Sequence, residues 1–486
     1  MAWTRKKTDL LAAAALALLC LAAYHGSLTQ YFWEDDFFCI EIGKKAFGHD
    51  GYLFAMYPNF RPLDRLAFYI NYAISGMAPF GYHAFNIGGH LLNAVLLYVL
   101  LINIFSDRLL SFAGAAAFVS TNSQSDCVFW VAARSGIISL SLLLLALISW
   151  TWYRKKEGGR DFDYLLSLVF LALAMFAKEE GVVYPALVAL TDMLLIGKGV
   201  DARNRWRAYM GLAAIMVAYL VFQAVAQASP TGRSVNITGG GYGAGSNVPV
   251  NIVEMFYYLF VPSFAGVPPS NIAWALSLAV VALVAIAGYK AGRVKETIWA
   301  LVFMTVSFMP MSLFKWDLLD SVDGSFIRRY FYAPSVGWAV VVGLFVAWAR
   351  EALGGKRLAT AAVSVFLLLV VGWGAFLVNW REGLWRGRSD YVQAEVDAVT
   401  ELYPALPPGR GGVLMRGFIQ KELFNDSMLR LVYGRDDLKV YGDEAGFLKA
   451  EGLAFRVRLA EKDAVVGDEG GRVVPLRAHD EAGRWL

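Results

Sequence analysis

The 486-residue sequence predicts a polytopic α-helical membrane protein with a small extracytoplasmic α/β domain at its C-terminal end. Three observations carry that reading. Hydrophobic residues make up 57% of the chain and charged residues only 17%. With a mean hydropathy of +0.48, this balance is ordinary for a membrane protein and rare for a soluble chain of this size. The apolar residues gather into runs close to the roughly 20 needed to cross a bilayer as a helix. Beyond about Val392 those runs stop and short β-like stretches replace them.

Runs at about 9–25, 84–105, 109–122, 135–153, 162–177, 181–197, 208–227, 271–289, 297–313, 332–349 and 358–379 give eleven spans. The first follows "TRKK" and lacks a small-x-small cleavage site, so it reads as a retained signal anchor. Basic residues orient the set. Arg5, Lys6 and Lys7, then "RKKEGGR" (154–160), "GKGVDARNRWR" (197–207), "KAGRVK" (290–295) and "REALGGKR" (350–357), fall where alternation from a cytoplasmic N-terminus places the inner face. The net charge of +4 says less than this distribution does.

The outer face receives 26–82, the glycine-rich "ITGGGYGAGSNV" (237–248), 314–331 and everything after Asn379. Long aromatic loops with few charges suggest a site on that face, because irregular backbone near a membrane lines a cavity or meets water. The stretch 251–266 holds too many breakers for a span and is placed flat in the interface. A membrane domain over 1–391 is followed by a soluble domain over 392–486, with strands expected at "GGVLMRGF", "LKVYG", "FRVRLA" and "RVVPLRA". That domain has no glycine-rich phosphate loop, metal spacing or nucleophile elbow. Cys20, Cys39 and Cys127 form neither a disulfide framework nor a zinc pattern. Cys39 and Cys127 share a predicted side, which leaves open one bridge or two unrelated apolar cysteines.

Ionisable residues at the ends of apolar runs are functional candidates. On the outer face these are Asp35 and Asp36 in "YFWEDDFFCI" and Arg61 in "NFRPLDRL". His83, Asn86, His90 and Asn93 share one helical face of "GYHAFNIGGHLLN". Asp126 and Arg134 follow in "SDCVFWVAARSG", Lys178, Glu179 and Glu180 in "AKEEG", and Arg328 and Arg329 in "IRRYFYAPS". Fixed cations can take up charge developing on a phosphate leaving group, and a carboxylate can remove the proton of an acceptor hydroxyl. Each residue taken alone also fits a plainer role. The acids could be solvated, the histidines a hydrogen-bonding face, the arginines snorkelling, and Lys178 with Glu179 a local ion pair.

Taken in order, the acidic pair, "RPL", "GYHAFNIGGHLLN", "WVAARSG", "AKEEGVVYPALVALTD" and "RRYFYAPSVG" resemble the GT-C superfamily of polyprenyl-phosphate-sugar glycosyltransferases. The resemblance covers about residues 10–390. It points to the membrane portion of the transmembrane and tetratricopeptide-repeat protein O-mannosyltransferases and their bacterial relatives. It implies that Asp35 is the catalytic base, with Asp36 its partner or a binder of acceptor, in a catalytic loop spanning 26–82. It puts Arg134, Lys178, Arg328 and Arg329 near the donor phosphate, and Arg61, His83, Gln124, Asp126 and Glu179 near the sugar or acceptor. The helix carrying Asn86, His90 and Asn93 takes a mainly structural part.

The chain also departs from the pattern. Thr121, Asn122, Gln124 and Asp126 stand where many relatives read His-Pro-x-His-x-Glu, and Arg328 stands where an acid is usual. No tetratricopeptide repeats follow. The expected activity is inverting transfer of a sugar from a polyprenyl-phosphate donor to a hydroxyl of a glycan, lipid or protein, at the outer face of a bacterial inner membrane. No nucleic acid is involved. No cofactor is required beyond the lipid-linked donor, although a divalent metal at Asp35 or Asp36 is compatible with the acids. A flippase of lipid-linked saccharides, a glycan ligase or phosphotransferase, and an inactive scaffold are the competing classes.

Overall fold

The computed structural model describes residues 2–48, 52–54, 60–155, 161–197, 202–228, 243–261, 270–315, 328–354, 357–416, 422–451 and 453–460. Helices dominate. The first, α1 (Ala2–Tyr24), leads through a 3-10 turn to α2 (Asp35–Lys44), which carries the acidic pair. Next come α3 (Pro62–Ser75) and α4 (Pro79–Phe105), each opened by a proline where the missing N–H costs nothing. Asp107 caps α5 (Arg108–Ser120) by accepting from the N–H of Leu109 at 2.9 Å and of Leu110 at 3.1 Å. The short α6 (Asp126–Phe129) and a 3-10 turn then lead into α7 (Arg134–Lys155).

After α8 (Asp161–Ala177), the chain passes through a 3-10 turn (Glu179–Val183), α9 (Tyr184–Thr191) and a π turn (Asp192–Ile196). The helices that follow are α10 (Ala202–Ala228), α11 (Asn247–Phe260), α12 (Ser270–Lys290), α13 (Val294–Ser312), α14 (Ser335–Ala352) and α15 (Arg357–Leu402). Where α5 meets α14 the backbones touch. A Cβ on Gly114 would lie 2.9 Å from the Ala339 carbonyl oxygen, and one on Gly343 2.7 Å from that of Leu110. Close approach through small residues is how helices pack without a hydrophobic drive between them.

Among the described residues, eight helices are long and apolar enough to cross a membrane. Three of the eleven expected spans fall short of that length, for different reasons. The run at 109–122 becomes the 13-residue α5, stopped by the polar turn from Thr121. The run at 162–177 becomes the 17-residue α8. The run at 181–197 breaks into three helical types, and its π turn lies at Asp192, whose carboxylate is drawn to Trp150, Arg154 and Tyr209. In the stretch 251–266, residues up to Phe260 are helical in α11, which packs on α12 and α13; 262–266 lie outside the described residues. So do 237–242 of the glycine-rich loop and 316–327 of the segment before Arg328.

The last membrane helix, α15, has 46 residues, about 69 Å at 1.5 Å per residue. It therefore outruns a bilayer core of roughly 30 Å and continues as helix past 392, where the soluble domain was expected to begin. Beyond it lie β1 (Gly411–Arg416), α16 (Glu422–Tyr433), β2 (Leu438–Tyr441), α17 (Glu444–Lys449) and β3 (Phe455–Ala460). The strands form one parallel sheet in the order β2-β1-β3, with Val413 opposite both Val440 and Val457. The fourth expected strand, in 472–478, lies outside the described residues.

Candidate functional site

One end of the helical bundle gathers the ionisable residues of α2, α3, the 121–134 turn, the 178–180 turn and 328–330. The polar face of α4 holds that end together from inside. Asn86 donates to the carbonyls of Cys127, Val128 and Trp130 at 3.2–3.4 Å. Asn93 donates to Ile137 at 3.0 Å and to the Tyr332 hydroxyl at 3.1 Å, and His90 lies 2.8 Å from the same hydroxyl. His83 is buried one turn nearer the site. Asn86, His90 and Asn93 stitch the irregular turn to the bundle, as buried polar groups must find partners.

The acids of α2 differ sharply. Asp36 is buried, and each of its oxygens is held by a backbone N–H: Trp33 at 2.8 Å and Ala132 at 2.6 Å. Burial pushes its carboxyl up to about 8, against the pull of those two N–H groups and of Arg134. Asp35 is half-buried; burial works against the Arg329 charge, but Tyr330 and then Asp35 outweigh it and hold that guanidinium's proton more tightly than usual. Glu34, immediately before Asp35, holds φ at +39°, a left-handed conformation that costs a side chain of order 1–3 kcal/mol.

The cations fall into two settings. Arg61, Lys178 and Arg329 line the polar end. Arg61 grips Glu179 through Nε at 2.7 Å and Nη2 at 2.5 Å, while its Nη1 donates to the Ser135 hydroxyl at 3.4 Å. Burial works against the Glu179 carboxylate, but the Arg61 charge overcomes it and holds the group down to about 2. Lys178 pairs with Glu180 at 2.5 Å and lies 5.3 Å from the Tyr330 ring. The Arg329 guanidinium lies 4.9 Å from that same ring and 4.5 Å from Trp130. Two cations thus share one aromatic neighbour.

Arg134 and Arg328 sit elsewhere. Arg134 is fully buried, donating to Asn71, Val131 and Tyr82, with Phe68 stacked 4.0 Å from its guanidinium. Arg328 lines a cleft together with Tyr258, Phe260, Trp338 and Trp373, its guanidinium 5.6 Å from the Tyr258 ring. Two other expected residues are tied into the scaffold. Asp126 accepts from Arg381 at 2.9 and 3.1 Å and from Trp385 at 2.9 Å, both on α15. Gln124 is buried and donates to the Phe118 carbonyl.

Sequence reasoning passes over four participants. Asp64, inside the quoted "RPLDRL", is 6% exposed beside the arginines. Tyr330 joins the two cations, and Arg381 has no local motif that could reveal it. Glu41, two turns beyond Asp35, accepts from Ser427 of α16 at 2.5 Å and so docks α2 on the C-terminal unit. Among the described residues, no group of three His, Cys, Asp or Glu side chains is positioned to hold a metal, and all three cysteines are free.

The GT-C membrane glycosyltransferases among solved structures share this fold. ArnT from Cupriavidus metallidurans, solved bound to undecaprenyl phosphate, superposes with a TM-score of 0.54 at 13% identity, over 90% of this chain and 86% of that one. Among sequences, Protein O-mannosyl-transferase TMTC3 of Mus musculus is 24% identical over 326 residues, 58% of this chain and 35% of that protein. Protein O-mannosyl-transferase Tmtc1 of Drosophila melanogaster is 30% identical over 137 residues, 28% of this chain and 16% of that protein. The chain thus matches at most about a third of the length of these relatives. No family model matches it.

Proposed function

We propose that the protein is an inverting glycosyltransferase that moves a sugar from a polyprenyl-phosphate donor to an acceptor hydroxyl at the extracytoplasmic face of a bacterial inner membrane. The carrying observation is that Lys178 and Arg329 share the Tyr330 ring at the same polar end of the bundle where Asp35 stands half-buried at the start of α2. Asp35 takes the proton of the acceptor hydroxyl. The freed oxygen forms a bond to the anomeric carbon from the face opposite the phosphate, and the bond from that carbon to the phosphate oxygen breaks. The phosphate leaves on its lipid, and Lys178 and Arg329 take up the charge it gains.

Asp36 is the poorer base, since both oxygens are occupied by N–H groups and burial favours its protonated form. It fixes α2 to the 131–133 turn. In this reading Arg134, His83, Gln124 and Asp126 hold the site's walls, while Arg61 with Glu179 shapes the sugar and acceptor side. Arg328, in its aromatic cleft, meets the lipid phosphate on approach. The C-terminal α/β unit, bound to α2 through Glu41, covers the cavity from outside.

The relatives named protein O-mannosyl-transferases favour mannose and a protein acceptor. Asp35→Asn should lower turnover by about 10²–10⁴-fold, the range of a general base, while the variant still inserts and binds donor lipid. Near-normal turnover in Asp35→Asn would overturn the assignment. Flipping of the donor lipid without transfer would favour the transporter class.

A further inference from the structure

The geometry points to Asp64 as a substrate-binding carboxylate of this site, one that accepts a hydrogen bond from a hydroxyl of the sugar being transferred. The inference rests on the glycosyl-transfer reading above and deepens it. Asp64 stands in the first turn of α3, is 6% exposed, and its Oδ1 has no hydrogen-bond partner. A buried carboxylate oxygen without a donor is costly.

The guanidinium groups around it do not fill the gap. Arg61 is committed to Glu179, and Arg134 to Asn71, Val131 and Tyr82; Arg65 gives one arm to the carbonyls of Tyr52 and Leu53. They act on Asp64 only through charge. Burial raises its carboxyl to about 6 against that pull, which leaves it largely ionised at neutral pH.

Its position is that of the site. The helix that carries it, α3, packs on α2, which carries Asp35, and Arg61, three residues before Asp64, is bonded to Glu179. A sugar placed between Asp35 and the Lys178–Arg329 pair would carry hydroxyls to this wall. The plainer alternative is a first-turn acid that steadies the α3 dipole. In that case its removal would destabilise the fold and leave ligand preference alone.

The test compares binding of polyprenyl phosphate bearing mannose, glucose or galactose with binding of the bare polyprenyl phosphate, to wild type, Asp64→Asn and Asp64→Ala. Wild type should favour one of the glycosylated lipids. Asp64→Ala should lose that preference by roughly 10- to 100-fold, the range of a charge-assisted hydrogen bond, with bare-lipid binding unchanged. Asp64→Asn, which removes the charge and keeps the shape, should raise the ligand-free melting temperature. Equal loss for both lipids, no loss, or a lowered melting temperature in Asp64→Asn would overturn the inference. A wild type that binds no glycosylated lipid above the bare one would overturn it together with the glycosyl-transfer reading. Asp64 variants of wild-type preference in a protein that transfers sugar would overturn it alone.

Discussion

Asp192 and Asp64 are both buried carboxylates near helix ends, and they are treated in opposite ways. Asp192, at the C-terminal end of α9, receives two arms of Arg154 at 2.9 and 3.0 Å, the Trp150 indole at 3.0 Å and the Tyr209 hydroxyl at 2.8 Å. Asp64 stands among arginines, yet its Oδ1 receives no donor. The Asp192 carboxylate is closed by pairing at both oxygens. The end around Asp64 keeps charge near charge without completing every pair. Groups that must later bind something cannot all be satisfied in advance, and proteins accept such unmet contacts at functional sites.

The largest expected effect breaks the closed pairing. Arg154→Ala leaves Asp192 buried without its main partner and should cost about 3–5 kcal/mol, read as a large fall in melting temperature. If it were nearly neutral, the contrast between the two carboxylates would collapse.

A smaller effect is expected from pH. The Asp36 carboxyl is raised from 3.8 when unfolded to about 8 when folded. Between those values the native state holds the proton that the unfolded state has lost, so stability falls as pH rises towards and through about 8. Melting curves from pH 5 to pH 9 should show that decline, and Asp36→Asn should remove Asp36's part of it. Smallest is Ser427→Ala, which deletes one of the hydrogen bonds to Glu41 and should cost about 1 kcal/mol. A loss of turnover well beyond that stability loss would show that the C-terminal unit steers α2 rather than resting on it.

Much of the molecule is legible in its sequence, for a physical reason. A polar residue at the end of an apolar run must be solvated, paired or used, so Asp35, Arg61, Lys178, Glu179 and Arg329 stand out without any structure. Pairing is not legible, because it depends on which helices meet. Asp126 finds Arg381 across 255 positions, and Arg134 finds Asn71 across 63. Helix length also escapes hydropathy. The run at 181–197 is apolar enough to read as a span, but Asp192's partners draw its end into a π turn. In α15 the apolar run ends long before the helix does, because the polar turns beyond 379 face Asp126 and the 26–33 segment.

That long helix has a mechanical consequence. Inside the bilayer the apolar run of α15, about 358–379, must match the thickness of the hydrocarbon, and a thinner membrane tilts such a run. Outside it, Arg381 and Trp385 are clamped to Asp126, and Arg386 holds the Gly26 carbonyl at 3.0 Å. Any tilt imposed by lipid is therefore passed to the turn whose Ala132 N–H holds Asp36. If the proposed site is the active one, bilayer thickness becomes one of its settings, and turnover should differ between short-chain and long-chain membranes.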